Sequence, residues 1–173
     1  MVENEVKFVL NLESKFSTAG WDVIAIEQHY LPNDVRIRRS SLLQDSEFTI
    51  NHKSLRDDGA YNELEYLISV HVFNLLKQQQ SLAQVKKTRF SKMLGDELWA
   101  IDLLAHGPAW TTYFILAECE MPEGRVAPLH IPQQVSDNLL FAVPKSQTSL
   151  YSNYRLANVS YADFIYERIH NGS

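Results

Sequence analysis

The chain has 173 residues, 45% of them apolar and 21% charged, enough for a single domain spanning 1–173 with a continuous core. A formal charge of −5 and a pI near 5.6 exclude a nucleic-acid binder that works through overall charge, and no apolar run approaches membrane-spanning length. Cys119 is the single cysteine and the N-terminal residues Glu3, Glu5 and Lys7 do not form an apolar leader, so the expectation is a cytoplasmic protein without disulfides.

Turn signals recur at strand-sized intervals: Pro32-Asn33-Asp34, Gln44-Asp45-Ser46, Asp57-Asp58-Gly59, Gly95-Asp96 and His106-Gly107-Pro108. The stretches between them alternate with period two and are rich in Val, Ile, Thr, Tyr and Phe, which predicts strands near 2–11, 21–31, 34–43, 46–55, 60–69, 83–93, 97–105 and 111–121. Helices are predicted over Glu13–Ala19, over His71–Gln80 and over Tyr161–His170, the last with Ser160 as N-cap. The segment 122–150, with Pro122, Pro128, Pro132 and Pro144, is the least regular part. The predicted class is mainly β (α+β): an antiparallel eight-stranded closed or nearly closed barrel with a few outer helices, since closure removes exposed edges.

Charges on these strands come in pairs two residues apart. They are Glu3, Glu5 and Lys7; Arg36 and Arg38; Lys53 in phase with Thr49 and Asn51; Glu63 and Glu65; Lys87 and Arg89; Asp102; and Glu118 and Glu120. Residues i and i+2 of a strand share a face. The intervening Val6, Phe8, Val35, Ile37, Leu64 and Leu116 are apolar and would face outward, under the helices and Trp21, Trp99 or Trp110. Exposed, the charges would be a solvated surface of weak ion pairs. Enclosed, they are costly unless paired or occupied by a ligand. Carboxylates suit Mg²⁺ or Mn²⁺, and Lys and Arg suit phosphate oxygens, so the interleaved set describes a polyphosphate–metal site.

These residues resemble the CYTH domain, or triphosphate tunnel metalloenzymes. The hallmark Glu-x-Glu-x-Lys is Glu3 to Lys7. Ile26 to Leu31 followed by Val35-Arg36-Ile37-Arg38 looks like the family's second and third strands, and Thr49 to Lys53 like the next. Glu63-Leu64-Glu65, Lys87-Thr88-Arg89, Trp99 to Asp102 and Leu116-Ala117-Glu118-Cys119-Glu120 follow in the family's order, and Tyr151, Asn153 and Leu156-Ala157 resemble its terminal helix motif. Tyr61 departs from the pattern, standing where an Arg is common, and 131–136 is a weak version of the usual segment.

The resemblance implies a tunnel that holds a triphosphate and one or two divalent cations. Glu3, Glu5, Glu118, Glu120 and Asp102 are the expected Mg²⁺ or Mn²⁺ ligands. Lys7, Arg36, Arg38, Lys53, Lys87 and Arg89, with Glu63 and Glu65, would hold or orient the substrate, and Glu5, Glu118, Glu120 and Lys87 are the expected catalytic residues. The expected activity is hydrolysis of inorganic tripolyphosphate or a nucleoside triphosphate. The alternatives are a class IV-type adenylyl cyclase and a non-catalytic polyphosphate or nucleotide binder. The expected partner is the small-molecule triphosphate, with no nucleic acid or membrane, and a homodimer is left open. The histidines are not spaced as a metal cluster, and Cys119, between Glu118 and Glu120, is expected on the opposite face as a buried hydrophobe.

Overall fold

The computed structural model describes residues 4–42, 45–55 and 61–172, and the side chains of these except at 53–55 and 61–63. The strands are β1 (Glu5–Leu10), β2 (Asp22–Tyr30), β3 (Val35–Leu42), β4 (Asp45–Leu55), β5 (Tyr61–Leu67), β6 (Ala83–Leu94), β7 (Glu97–His106), β8 (Thr111–Glu120) and β9 (Leu139–Val143). The α-helices are α1 (Val70–Gln80), α2 (Gln133–Ser136), α3 (Asn153–Leu156) and α4 (Val159–His170), with a 3₁₀ segment over Lys145–Tyr151. No helix among the described residues is long and apolar enough to cross a membrane.

The strands make one antiparallel sheet in the order β5-β4-β3-β2-β6-β7-β8-β1-β9. The mainly β, antiparallel class with a few helices is as expected, but among the described residues there are nine strands rather than eight and the ladder is not closed, so the closed or nearly closed barrel is not seen. Leu139–Val143, expected to be irregular, takes the edge of β1 that closure onto β5 would have used. The helix expected over Glu13–Ala19 is also absent. The amides of Glu13, Ser14 and Ser17 bond instead to Asn11 and to the Gln134 side chain of α2, so the i to i+4 ladder never starts. Helix α4 begins earlier than expected, because Asn158 rather than Ser160 caps it by accepting from the Tyr161 amide. Asn33 and Asp34 both adopt positive φ, the geometry of a tight hairpin turn between β2 and β3.

Each face of the sheet has its own core. On one face Phe8, Leu10, Phe90, Trp99, Ile101, Ile115, Ala117 and Cys119 pack with Val135 of α2. Helix α1 covers the same face over β3 and β4, where Phe73 is buried against Leu31 and Ile37. Burying such side chains contributes roughly 1.5–3 kcal/mol each. Below α1, the Glu27 carboxylate accepts from Lys77 Nζ, from Gln84 Nε2 and from His29 Nε2 at 2.9 Å, while His29 Nδ1 lies 2.9 Å from Ser81 Oγ. These bonds fix the C-terminal end of the helix to the sheet.

The opposite face is divided lengthwise. Val9, Val85, Leu104 and Leu116 pack with Tyr151 and with Leu156, Ala162 and Ile165 of α3 and α4. Tyr113, beside a register shift in β7–β8, donates to the Leu156 carbonyl at 2.8 Å and ties α3 down. The C-terminal helices therefore cover one end of this face. Two residues along the same strands, the apolar positions give way to Lys7, Lys87, Asp102 and Glu118.

Candidate functional site

The registers bring the charged pairs of six strands together. Lys7 of β1 lies opposite Glu118 of β8, and Glu5 lies opposite Glu120. Arg89 of β6 lies opposite Asp102 of β7, Arg38 of β3 lies opposite Gln28 of β2 and Thr49 of β4, and Arg36 lies opposite Tyr30 and Asn51. Directly opposed residues of adjacent strands share a face, so all of these belong to one side of the sheet. Of the predicted residues, Glu3 and the side chains of Lys53, Glu63 and Tyr61 lie outside the described residues, although the backbone of Lys53 pairs with that of Glu63.

The centre of the set is deeply buried. Lys7 is 6% exposed, Lys87 2%, Asp102 0% and Glu118 8%. Asp102 accepts from Lys87 Nζ, Arg89 Nε and Arg89 Nη2, each at 2.6 Å. Lys7 Nζ donates to Glu118 and lies 2.9 Å from Glu5, and the other Glu118 oxygen is 3.4 Å from Arg89 Nη2. Two cation–carboxylate clusters are thus joined through Arg89. Toward β5, Arg38 Nη1 is 4.0 Å from the half-exposed Glu65. Glu120 stands at the exposed end of β8.

Burial opposes every one of these charges, and the partners decide the outcome. Burial disfavours the charged Lys7 ammonium, yet Glu118 and Glu5 raise its pKa above the usual lysine value. Burial works against the Asp102 carboxylate, but Arg89 and Lys87 hold it well below the usual carboxylate range. Glu118 is also held below its usual value against burial, chiefly by Lys7. Lys87 goes the other way: burial, aided by the Arg89 charge, outweighs Asp102 and pushes it down to about 8. Among the described residues, Lys87 is therefore a predicted phosphate ligand whose pKa burial brings toward the neutral range.

Asp102, expected as a metal ligand, has both oxygens taken by Lys87 and Arg89. Its position is that of an anchor for two cations. Glu5 and Glu120 oppose each other across the ladder and Glu118 is one step along, a donor set of hard oxygens suited to a divalent ion. Among the described residues, however, no three Asp, Glu, His or Cys side chains converge as a metal centre. Glu5 and Glu118 are turned toward Lys7.

Four uncharged polar residues share this face: Gln28 and Tyr30 were assigned no role from the sequence, and Thr49 and Asn51 entered it only as the phase of Lys53. Gln28, Thr49 and Asn51 are buried, and Tyr30, which accepts from Gln28 Nε2, has its pKa pushed up to about 12 by burial. Their signal was phase: Gln28 and Tyr30 alternate with Glu27 and His29, and Thr49 and Asn51 alternate with Ile50. Arg38 Nε and Thr49 Oγ1 are buried without a hydrogen-bond partner among the described residues. Such atoms are costly, and a ligand bringing oxygens and hydroxyls to this place would offset that cost.

No family model matches the sequence, and no curated protein matches it. Among solved structures, the inorganic triphosphatase NE1496 aligns with a TM-score of 0.56 and 23% identity, over 91% of this chain and 95% of its own. The chain has the CYTH fold. A second NE1496 structure aligns with a TM-score of 0.50 at 24% identity, over 90% of this chain and 97% of its own. The PH1012 protein of Pyrococcus horikoshii aligns at 0.48 and 18%, over 71% and 80%. Within the CYTH fold of this chain, the face shared by Lys7, Lys87, Arg89, Asp102 and Glu118 is the candidate site. The Glu27–His29 cluster lies on the opposite face.

Proposed function

We propose that the chain is a divalent-metal-dependent hydrolase of a triphosphate held on the charged face of its sheet. The observation that carries this reading is the buried network of Lys7, Lys87, Arg89, Asp102 and Glu118. Charges enclosed to this degree cost more than an apolar core of the same volume, and a polyanion with its metal is the ligand that matches both signs. The likeness to an inorganic triphosphatase supports the same reading.

In this reading Lys7, Arg36, Arg38, Lys53, Lys87 and Arg89 neutralise the phosphate chain. Asp102 holds Lys87 and Arg89 in position so that their remaining N–H groups face the substrate. Glu5, Glu118 and Glu120, together with Glu3, would hold Mg²⁺ or Mn²⁺, which when bound offsets phosphate charge and acidifies water. The water oxygen forms a bond to the terminal phosphorus and the bond from that phosphorus to the bridging oxygen breaks. Orthophosphate and the shortened chain leave, and the water's proton passes to a carboxylate of the Glu5, Glu118 and Glu120 set.

The test is release of orthophosphate from tripolyphosphate and ATP with Mg²⁺ or Mn²⁺, for wild type and Glu5→Gln. The expected result is turnover in wild type and a loss of roughly 100-fold or more in the variant, the usual size of effect for a group acting on the transition state. Absence of turnover in wild type, or full activity in the variant, overturns it. The second reading is a non-catalytic triphosphate binder, favoured by the carboxylates that face Lys7 and Arg89 rather than a common centre. Tight tripolyphosphate binding by calorimetry without turnover would establish it.

A further inference from the structure

The two edges of the sheet are finished differently. Strand β9 is five residues long, and its Leu140 and Phe141 pack into the cluster that α3 and α4 cover. Strand β5 is seven residues long, has β4 as its one neighbour among the described residues, and pairs with it without a bulge from Tyr61 to Leu67. It holds no proline and no lysine. The backbone groups on its outer side form an open row of donors and acceptors, which native sheets ordinarily shorten, twist or cover.

Alternation gives this edge two characters. Leu64 and Tyr66 lie opposite His52 and Ile50 of β4, on the face that α1 covers, whereas Glu63 and Glu65 lie opposite Lys53 and Asn51 on the charged face. Helix α1 starts just after β5, at the Ser69 cap, and crosses the sheet toward β2, where Ser81 meets His29. Its Phe73 is buried with Ile37, but Leu64, Tyr66, Leu67 and the first helical residue, Val70, are each more than half exposed. Apolar surface of this kind beside an unpaired edge marks an interaction site. The charges next to it have one sign: from Asp57 through Glu65 the sequence carries four acids and no base.

We propose that β5 is a docking edge for an extended segment of a partner protein. The segment adds as a further strand, with apolar residues beside Leu64 and Tyr66 and with Lys or Arg at the alternating positions beside Glu63 and Glu65. Main-chain hydrogen bonds to the edge hold such a strand, and the alternating side chains select it. The acids disfavour a second copy of this chain as the occupant. In an antiparallel pair of β5 strands, the register that opposes the two Leu64 residues sets Glu63 against Glu65. The register that opposes Leu64 to Tyr66 sets the two Glu65 residues against each other. Like charges directly opposed destabilise a ladder, so the residues that repel β5 from itself attract a basic strand. This inference does not depend on whether the chain turns over a triphosphate.

The experiment uses the whole chain and fluorescein-tagged peptides as long as β5. One alternates Lys and Val, one has Glu in place of Lys, and one is the Lys–Val peptide N-methylated at its valines, which then cannot donate. Anisotropy at low salt measures binding, and amide hydrogen exchange locates it. Without peptide, the amides of 61–67 that do not bond to β4 should exchange quickly. The Lys–Val peptide should slow them about fivefold or more while β7 is unchanged, and the other two peptides should bind about tenfold or more weakly. Leu64 and Glu65 are exposed, so variants at either are expected to fold. Glu65→Lys should reverse the preference between Lys–Val and Glu–Val, and Leu64→Ser should weaken the Lys–Val peptide about three- to tenfold. Slow exchange of those amides without peptide, whether the edge is covered by the chain itself or by a second copy, overturns the proposal. So do protection elsewhere, failure of the Lys–Val peptide to bind, equal binding of the three peptides, or an unchanged preference in Glu65→Lys.

Discussion

Replacing Asp102 with Asn tests whether this carboxylate anchors the two cations. Asp102 is fully buried and receives three N–H bonds at 2.6 Å, one from Lys87 and two from Arg89. An Asn side chain has the same size, but either orientation of its amide points an NH₂ at an ammonium or a guanidinium. The substitution also removes the charge that compensates Lys87, which is 2% exposed. Breaking a buried ion pair from one side costs roughly 3–5 kcal/mol. The lower end applies, since Arg89 keeps Glu118 at 3.4 Å and is itself 21% exposed in its side chain.

A loss of about 3 kcal/mol is a large part of the 5–15 kcal/mol that stabilises most domains. For a chain of this length it corresponds to a fall in Tm of roughly 6–12 °C. Urea unfolding at pH 7, with no divalent ion, measures it directly. The expected result is a lower midpoint at an unchanged m-value. A loss below about 1 kcal/mol at unchanged m would refute the anchoring argument. If wild type, but not the variant, gained stability from Mg²⁺, Asp102 would instead be a metal ligand.

Lys87 gives a pH dependence of definite sign. Its folded pKa of about 8 lies below the unfolded lysine value near 10.4, so between these limits the unfolded chain binds more protons at this site. The contribution of Lys87 to stability therefore rises with pH across that window, and the slope should be shallower in Lys87→Met; equal slopes in urea melts from pH 7.5 to 10 would sink the argument. Glu27 behaves as an acid of lowered pKa: its bond from His29, then the Lys77 ammonium, hold it near 2 against burial. Glu27→Gln should cost about 1–3 kcal/mol at pH 7 and lower hydrogen-exchange protection in α1 more than in β7, an effect that vanishes as pH falls from about 4 toward 2. Unchanged exchange in α1 would show that packing of Phe73 alone holds the helix.

Much of the site was legible because charge and period two are carried by single residues. Arg36 and Arg38, Lys87 and Arg89, and Glu118 and Glu120 had to share a face once their segments were strands, and the registers bring them together. Asp102 shows where that reasoning stops. Its identity is written in the sequence, but which neighbour takes which oxygen depends on the offset between β6 and β7, and that offset depends on a turn at Gly95 with positive φ and on the packing of Trp99 and Phe90 behind it. Leu139–Val143 was illegible for a different reason. Flanked by prolines, it becomes a strand only because the edge of β1 is there to pair with it. Gln28 and Tyr30 were passed over, and Thr49 and Asn51 were given no role of their own, because uncharged polar residues alternate on exposed strands as well. What separates the two cases is the covering of one end of the face by α3 and α4, which gathers residues as distant in sequence as Val9 and Ile165 into one cluster. That covering shields one end of a polar strand face from water. The same contact bounds the charged face at one end, so the extent of the site is set by Leu156 and Ile165 as well as by the charges themselves.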